Sequence, residues 1–132
     1  MSRWSEKVRV AIGNITLELP AAIGKRPDVS IDSTAGVFEG AGLRIVVDQG
    51  PFANRLDSYA GLPDYREESR DAGGMTARIV SFRSADGRSF TAAIHLPAPK
   101  SATVIVEADA DIPPEVPAEI IDSLRWVERS PE

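Results

Sequence analysis

The feature that most constrains the fold is the stretch VRVAIGNITLELP, residues 8–20, in which two runs of alternating apolar and polar residues meet at Gly13-Asn14. A Gly-Asn pair between alternating runs is suited to a two-residue primed hairpin turn. Closing the turn there pairs Ile12 with Ile15, Val10 with Leu17 and Val8 with Leu19, and sets Arg9 against Glu18 on the opposite face. Apolar meets apolar and plus meets minus, so the register agrees with the side-chain alternation. Pro20 cannot donate to a ladder and ends the second strand.

The same grammar runs through the chain. VSIDSTAGVFEGAGLRIVVDQG predicts a strand, a glycine-rich turn near Gly40 to Gly42, and a second strand through Leu43, Ile45 and Val47. PFANRLDSYAGLPDY has few apolar residues and two turn signals, and reads as an irregular connector with room for one helical turn. YREESRDAGGMTARIVSF predicts a hairpin about Gly73-Gly74, its first strand charged on both faces and therefore suited to a sheet edge. SADG at 84–87 makes the next turn. RSFTAAIHLP then places Phe90, Ala92, Ile94 and Leu96 on one face and Ser89, Thr91, Ala93 and His95 on the other, where small residues let something pack over the sheet or face water. ATVIVEAD follows, with Val104, Val106 and Ala108 on one side and Ile105, Glu107 and Asp109 on the other. Val116, Ile120, Ile121, Leu124 and Val127 recur at helical spacing, which predicts an amphipathic helix with its apolar stripe toward the sheet and Trp126 packed beside it. Many strands and one helix indicate an α+β protein, an antiparallel β-sheet meander packed by a C-terminal helix.

With 132 residues and 42% hydrophobic content the chain reads as a single domain, residues 1–132, with enough apolar material for a core. Cysteine is absent, which removes disulfides, thiolate nucleophiles and cysteine-bound zinc. The net charge of −5 disfavours phosphate-backbone binding, so nucleic acid is not an expected partner. No apolar run reaches signal-peptide or membrane-span length, which predicts a soluble cytoplasmic protein if residue 1 is the natural start.

Candidate chemistry is sparse. EADADIPPE, residues 107–115, has the alternating acids that open a calcium loop, but Pro113 and Pro114 stand where that loop needs a ligand and a glycine. The acids read instead as a strand end followed by a helix start, with Glu115 and Glu119 favouring the helix dipole and Pro117 tolerated at the first helical position. His95, the only histidine, shares a face with Thr91 and Ser89 and could orient a hydroxyl nucleophile, yet no nucleophile elbow or third triad member accompanies it. The Gly73-Gly74 register sets Asp71 opposite Thr76, Ser69 opposite Arg78 and Glu67 opposite Val80, and the SADG hairpin brings Ala93 or His95 beside Arg78. Glu67, Asp71, Arg78 and His95 are thus the candidate ligand-binding patch, with Arg78 as a forked donor to an anionic or polar ligand. The plain alternative is a solvated ion-pair face of little energetic weight. No catalytic residue, cofactor or metal is expected.

The order of ITLELP, VSIDSTAGVFEG, GLRIVVDQG, GGMTARIVSF, FTAAIHLP, ATVIVEAD and the terminal PAEIIDSLRW resembles the PsbP-like superfamily, which includes DcrB-like and Mog-type proteins, over about residues 15–127. The resemblance implies an antiparallel sheet sandwiched by helices and a non-enzymatic protein that docks on another protein. The chain departs from the family in the weak helical signal after Leu43 and in the added VRVAI strand, and no family site residue maps onto it. The expected function is therefore a binding or accessory role with a protein partner. The alternative is a small-molecule binder or minor hydrolase centred on Arg78 and His95.

Overall fold

The computed structural model describes residues 7–12, 15–20, 35–50, 56, 59–72, 75–97 and 101–126. Among the described residues there are nine strands: β1 (Lys7–Ile12), β2 (Ile15–Pro20), β3 (Ala35–Gly40), β4 (Leu43–Gln49), β5 (Arg66–Ala72), β6 (Met75–Arg83), β7 (Ser89–Leu96), β8 (Ala102–Asp109) and β9 (Arg125–Trp126). The helix α1 (Glu115–Asp122) lies between β8 and β9. Strands β3-β4-β8-β7-β6-β5 form a six-stranded antiparallel sheet, and β1-β2-β9 a three-stranded one. The expected α+β architecture is present, but the expected meander is not: β8 inserts between β4 and β7, and β1, β2 and β9 form a sheet of their own. Among the described residues no helix is long and apolar enough to cross a membrane.

Each expected hairpin register holds. Arg9 opposes Glu18 at 3.1 Å and Val10 opposes Leu17; Asp71 opposes Thr76 and Ser69 opposes Arg78. The turns at 13–14 and 73–74 and the start of the expected strand before Ala35 lie outside the described residues. At the turn after β3, Ala41 (φ 55°) and Gly42 (φ 85°) both have positive φ, the signature of a type I′ turn.

The sheet's inner face carries rows of apolar side chains such as Phe38, Ile45, Val106 and Ala92. Upon it lie Ile15, Leu17 and Leu19 of β2 and Val116, Ile120 and Ile121 of α1, all buried in the main core. A helix of eight residues is too short to persist alone in water, so α1 owes its existence to this packing.

Two expectations about the helix require correction. The helix does not run to Leu124 and Val127: it ends at Asp122, Leu124 is buried beyond it, and Arg125–Trp126 pairs with Ile15 and Thr16 as β9. The Ser123 hydroxyl explains the stop, because it donates to the Ile120 carbonyl at 2.6 Å and accepts from the Glu18 amide at 2.9 Å, tying the helix end to β2. Trp126 still packs on the core, from a strand. Pro117 is the third helical residue, where its missing N–H is equally harmless because the first four amides of a helix have no internal partner. In the connector, 59–65 is the irregular run of turns expected, and apart from Leu56 the residues before it lie outside the described residues.

That connector also does more than link strands. Leu56, Tyr59, Leu62 and Tyr65 cover Val80, Phe82 and Ala93 on the outer face of the sheet, forming a second core in which Tyr59 stacks on Phe82 with ring centroids 4.7 Å apart. Ala93 and Thr91 of β7 are therefore buried, while Ser89 stays half-exposed.

Candidate functional site

The candidate patch lies on the outer face, beside the second core. Arg78 stands opposite His95, and His95 opposite Thr103, across β6, β7 and β8. The Glu67 carboxylate accepts from the Tyr65 hydroxyl at 2.7 Å and lies 3.6 Å from Arg78 Nε. Arg78 Nη1 also reaches toward the Leu56 carbonyl at 3.4 Å, and the His95 ring Nδ1 lies 2.8 Å from Thr103 Oγ1. Asp71 does not join the group: it opposes Thr76 and makes no ion pair among the described residues. The structure thus places Glu67, Asp71, Arg78 and His95 on one face, with Glu67 and not Asp71 paired to Arg78.

The geometry of this row limits its chemistry. Thr103, the hydroxyl beside the histidine, is only 2% exposed, and Thr91 is also buried, so an external substrate has no approach to either oxygen. Arg78 binds protein groups on two sides with its side chain 39% exposed, a half-solvated arrangement in which an ion pair contributes little. Arg78→Ala is expected to cost less than about 1 kcal/mol in urea unfolding. A loss above about 2 kcal/mol would instead make its contact with the connector structural.

The more pronounced concavity is on the inner face, where the sheet extends past the helix. β5 is the edge strand, and its inward side chains Arg66, Glu68 and Arg70 overhang a trough of about 550 Å³ whose far wall is α1. The floor is Ile79, Phe90 and Ala92, and the helix contributes Ala118, Ile121 and Asp122. Arg70 spans the trough to Asp122 and also binds Glu68 at 2.9 Å. Its hydrogen bond to Asp122, with the nearby negative charge, raises the guanidinium above its ordinary pKa. Beyond this strut the depression continues as a second hollow of about 290 Å³ bordered by Ile94, Leu96, Leu124 and Trp126.

Sequence reasoning missed this site for a definable reason. Arg66, Glu68 and Arg70 are legible as one face of an edge strand, but the wall opposite them comes from a helix some fifty positions away. Among the described residues no three His, Asp or Glu side chains converge as a metal site, and no buried side-chain nitrogen or oxygen lacks a hydrogen bond. No protein-family model and no curated protein matches the chain.

Proposed function

We propose that the chain is a non-enzymatic binding or accessory protein whose contact site is the trough between β5 and α1. The observation that carries this reading is the trough itself: about 550 Å³, with an apolar floor and a charged rim, in the range of ligand-binding clefts. The likeness of the strand order and helical ending to PsbP-like proteins, which dock on partners, supports an accessory role over a catalytic one. A six-stranded antiparallel sheet with a helix and a hairpin on its inner face is compatible with that kinship.

Ala118 lines the trough from an exposed helical position, so Ala118→Trp fills the space without entering the core. Wild type and Ala118→Trp are compared in a small-molecule thermal-shift screen and in capture of partners from lysate of the native host. The expected result is a ligand or stoichiometric partner bound by wild type and lost from a folded Ala118→Trp. Retention of that ligand or partner by Ala118→Trp would remove the trough from the function.

A second reading places a small polar ligand on the row of Arg78, His95 and Thr103, favoured by the 2.8 Å contact of the imidazole with the Thr103 hydroxyl. The burial of that hydroxyl argues against its use as a nucleophile.

A further inference from the structure

The charges around the trough are not equivalent. Glu67, although at its border, turns its carboxylate to the outer face, where Tyr65 and Arg78 hold it. Glu68 and Asp122 are both engaged by Arg70. Arg66 and Ser81 remain. They are directly opposed on the inner face of β5 and β6, and neither side chain makes a hydrogen bond or ion pair among the described residues. Directly opposed side chains in antiparallel strands have their Cβ atoms about 5 Å apart, close enough for a guanidinium and a hydroxyl to share one anionic group.

The surface next to this pair is apolar. Ser81 is followed across the sheet by Ala92, and Phe90 lies on the same face one row further along. The Phe90 ring is held under the Arg83 guanidinium at 5.6 Å, and Arg83 is itself paired with Asp64 at 3.2 Å, so the ring is fixed and that cation is already neutralised. Ile121 closes the trough from the helix side.

We propose that the trough binds a small amphipathic carboxylic acid, its carboxylate on Arg66 and Ser81 and its apolar body on Phe90, Ala92 and Ile121. The proposal rests on the reading of the trough as the binding site and adds the sign of the charge and the chemical class. An amphipathic cation would place its charge against the Arg66 guanidinium or compete with Arg70 for Glu68 and Asp122. A purely apolar ligand would leave Arg66 and Ser81 unused.

The test is a titration of the full chain, followed by backbone amide shifts in NMR, with octanoate below its aggregation limit. Octylammonium and octanol serve as probes of equal length and different charge. Octanoate is expected to shift the amides of Arg66, Ser81, Phe90 and Ile121 saturably, and to bind at least roughly tenfold more tightly than octylammonium. Arg66→Ala is expected to weaken octanoate about tenfold, whereas Arg44→Ala, an exposed arginine on the outer face, leaves it unchanged. Arg66 is exposed on an edge strand, so its replacement does not threaten folding. The proposal is overturned if octylammonium binds as well as octanoate, if Arg66→Ala has no effect, or if the shifts fall outside the trough. Octanol or octylammonium bound in the trough at least as tightly as octanoate would overturn the acid while keeping the site. Absence of octanoate binding overturns the acid, and the Ala118→Trp comparison decides separately whether the trough binds anything.

Discussion

Ile120→Ala is expected to lower the unfolding free energy by about 2–5 kcal/mol, read as a shift of the urea midpoint at constant slope. Ile120 is 1% exposed and sits where α1 meets the sheet and β2, so removal of its side chain leaves a cavity that three elements border. The helix cannot compensate through its own stability. It has two turns, a Pro114 N-cap without a side-chain hydrogen bond and no basic residue in its last turn. Nearly all of its persistence comes from Val116, Ile120 and Ile121, and a domain of this size has only about 5–15 kcal/mol in total. A loss below about 1 kcal/mol would show that α1 is not packed on the sheet, and the trough would lose its wall. Ala118→Ser, on the exposed side of the same helix, controls for helix propensity and should cost a few tenths of a kcal/mol.

What the sequence disclosed, and what it withheld, divides along the same line as local and non-local interaction. The opposition of Arg9 to Glu18 and of Asp71 to Thr76 was readable because a two-residue turn fixes register and alternation then checks it. The SADG hairpin narrowed the neighbour of Arg78 to Ala93 or His95, and the structure sets it opposite His95. The pairing of β4 with β8 had no such signal, since residues 50–101 separate them and any apolar strand offers the same edge. β9 was absorbed into the helical pattern because Leu124 and Val127 continue a plausible stripe, and only the Ser123 bond to β2 breaks it. The second core did leave a trace: Leu56, Tyr59, Leu62 and Tyr65 are spaced by three in a segment otherwise rich in turn residues, and Val80 and Phe82 share β6 with Ala77 and Ile79 on its other face. A strand apolar on both faces needs cover on both. The candidate patch of Glu67, Arg78 and His95 was legible because its members are neighbours through hairpins. The trough was not, because Arg70 meets Asp122 only after the whole sheet has been assembled.

Gly42→Ala is expected to destabilise by about 1–3 kcal/mol, although it adds a single methyl group at an exposed turn. Two independent costs meet at this position. Gly42 has φ 85°, a conformation that costs an L-residue roughly 1–2 kcal/mol, and a Cβ built there lies 2.9 Å from both Asp109 Oδ2 and Ile112 Cδ1. The Asp109 carboxylate is at the exposed end of β8 and can swing aside. Ile112 is 4% exposed and anchors the segment between β8 and α1, so its displacement is transmitted to the start of the helix. The backbone is committed as well, since the Gly42 carbonyl accepts from the Asp109 amide at 3.0 Å. Ala41→Gly separates the two costs. Ala41 also has positive φ, at 55°, so glycine there relieves strain while gaining entropy in the unfolded chain, and the net change should be near zero or stabilising. If Gly42→Ala and Ala41→Gly both leave the urea midpoint within about 0.5 kcal/mol of wild type, the type I′ geometry of this turn is wrong. If Gly42→Ala is costly and Gly42→Ala combined with Ile112→Val recovers part of the loss, the steric contact with Ile112 carries that part. The turn then does more than reverse the chain: it packs against the loop that launches the helix, and so couples the β3-β4 hairpin to the wall of the trough.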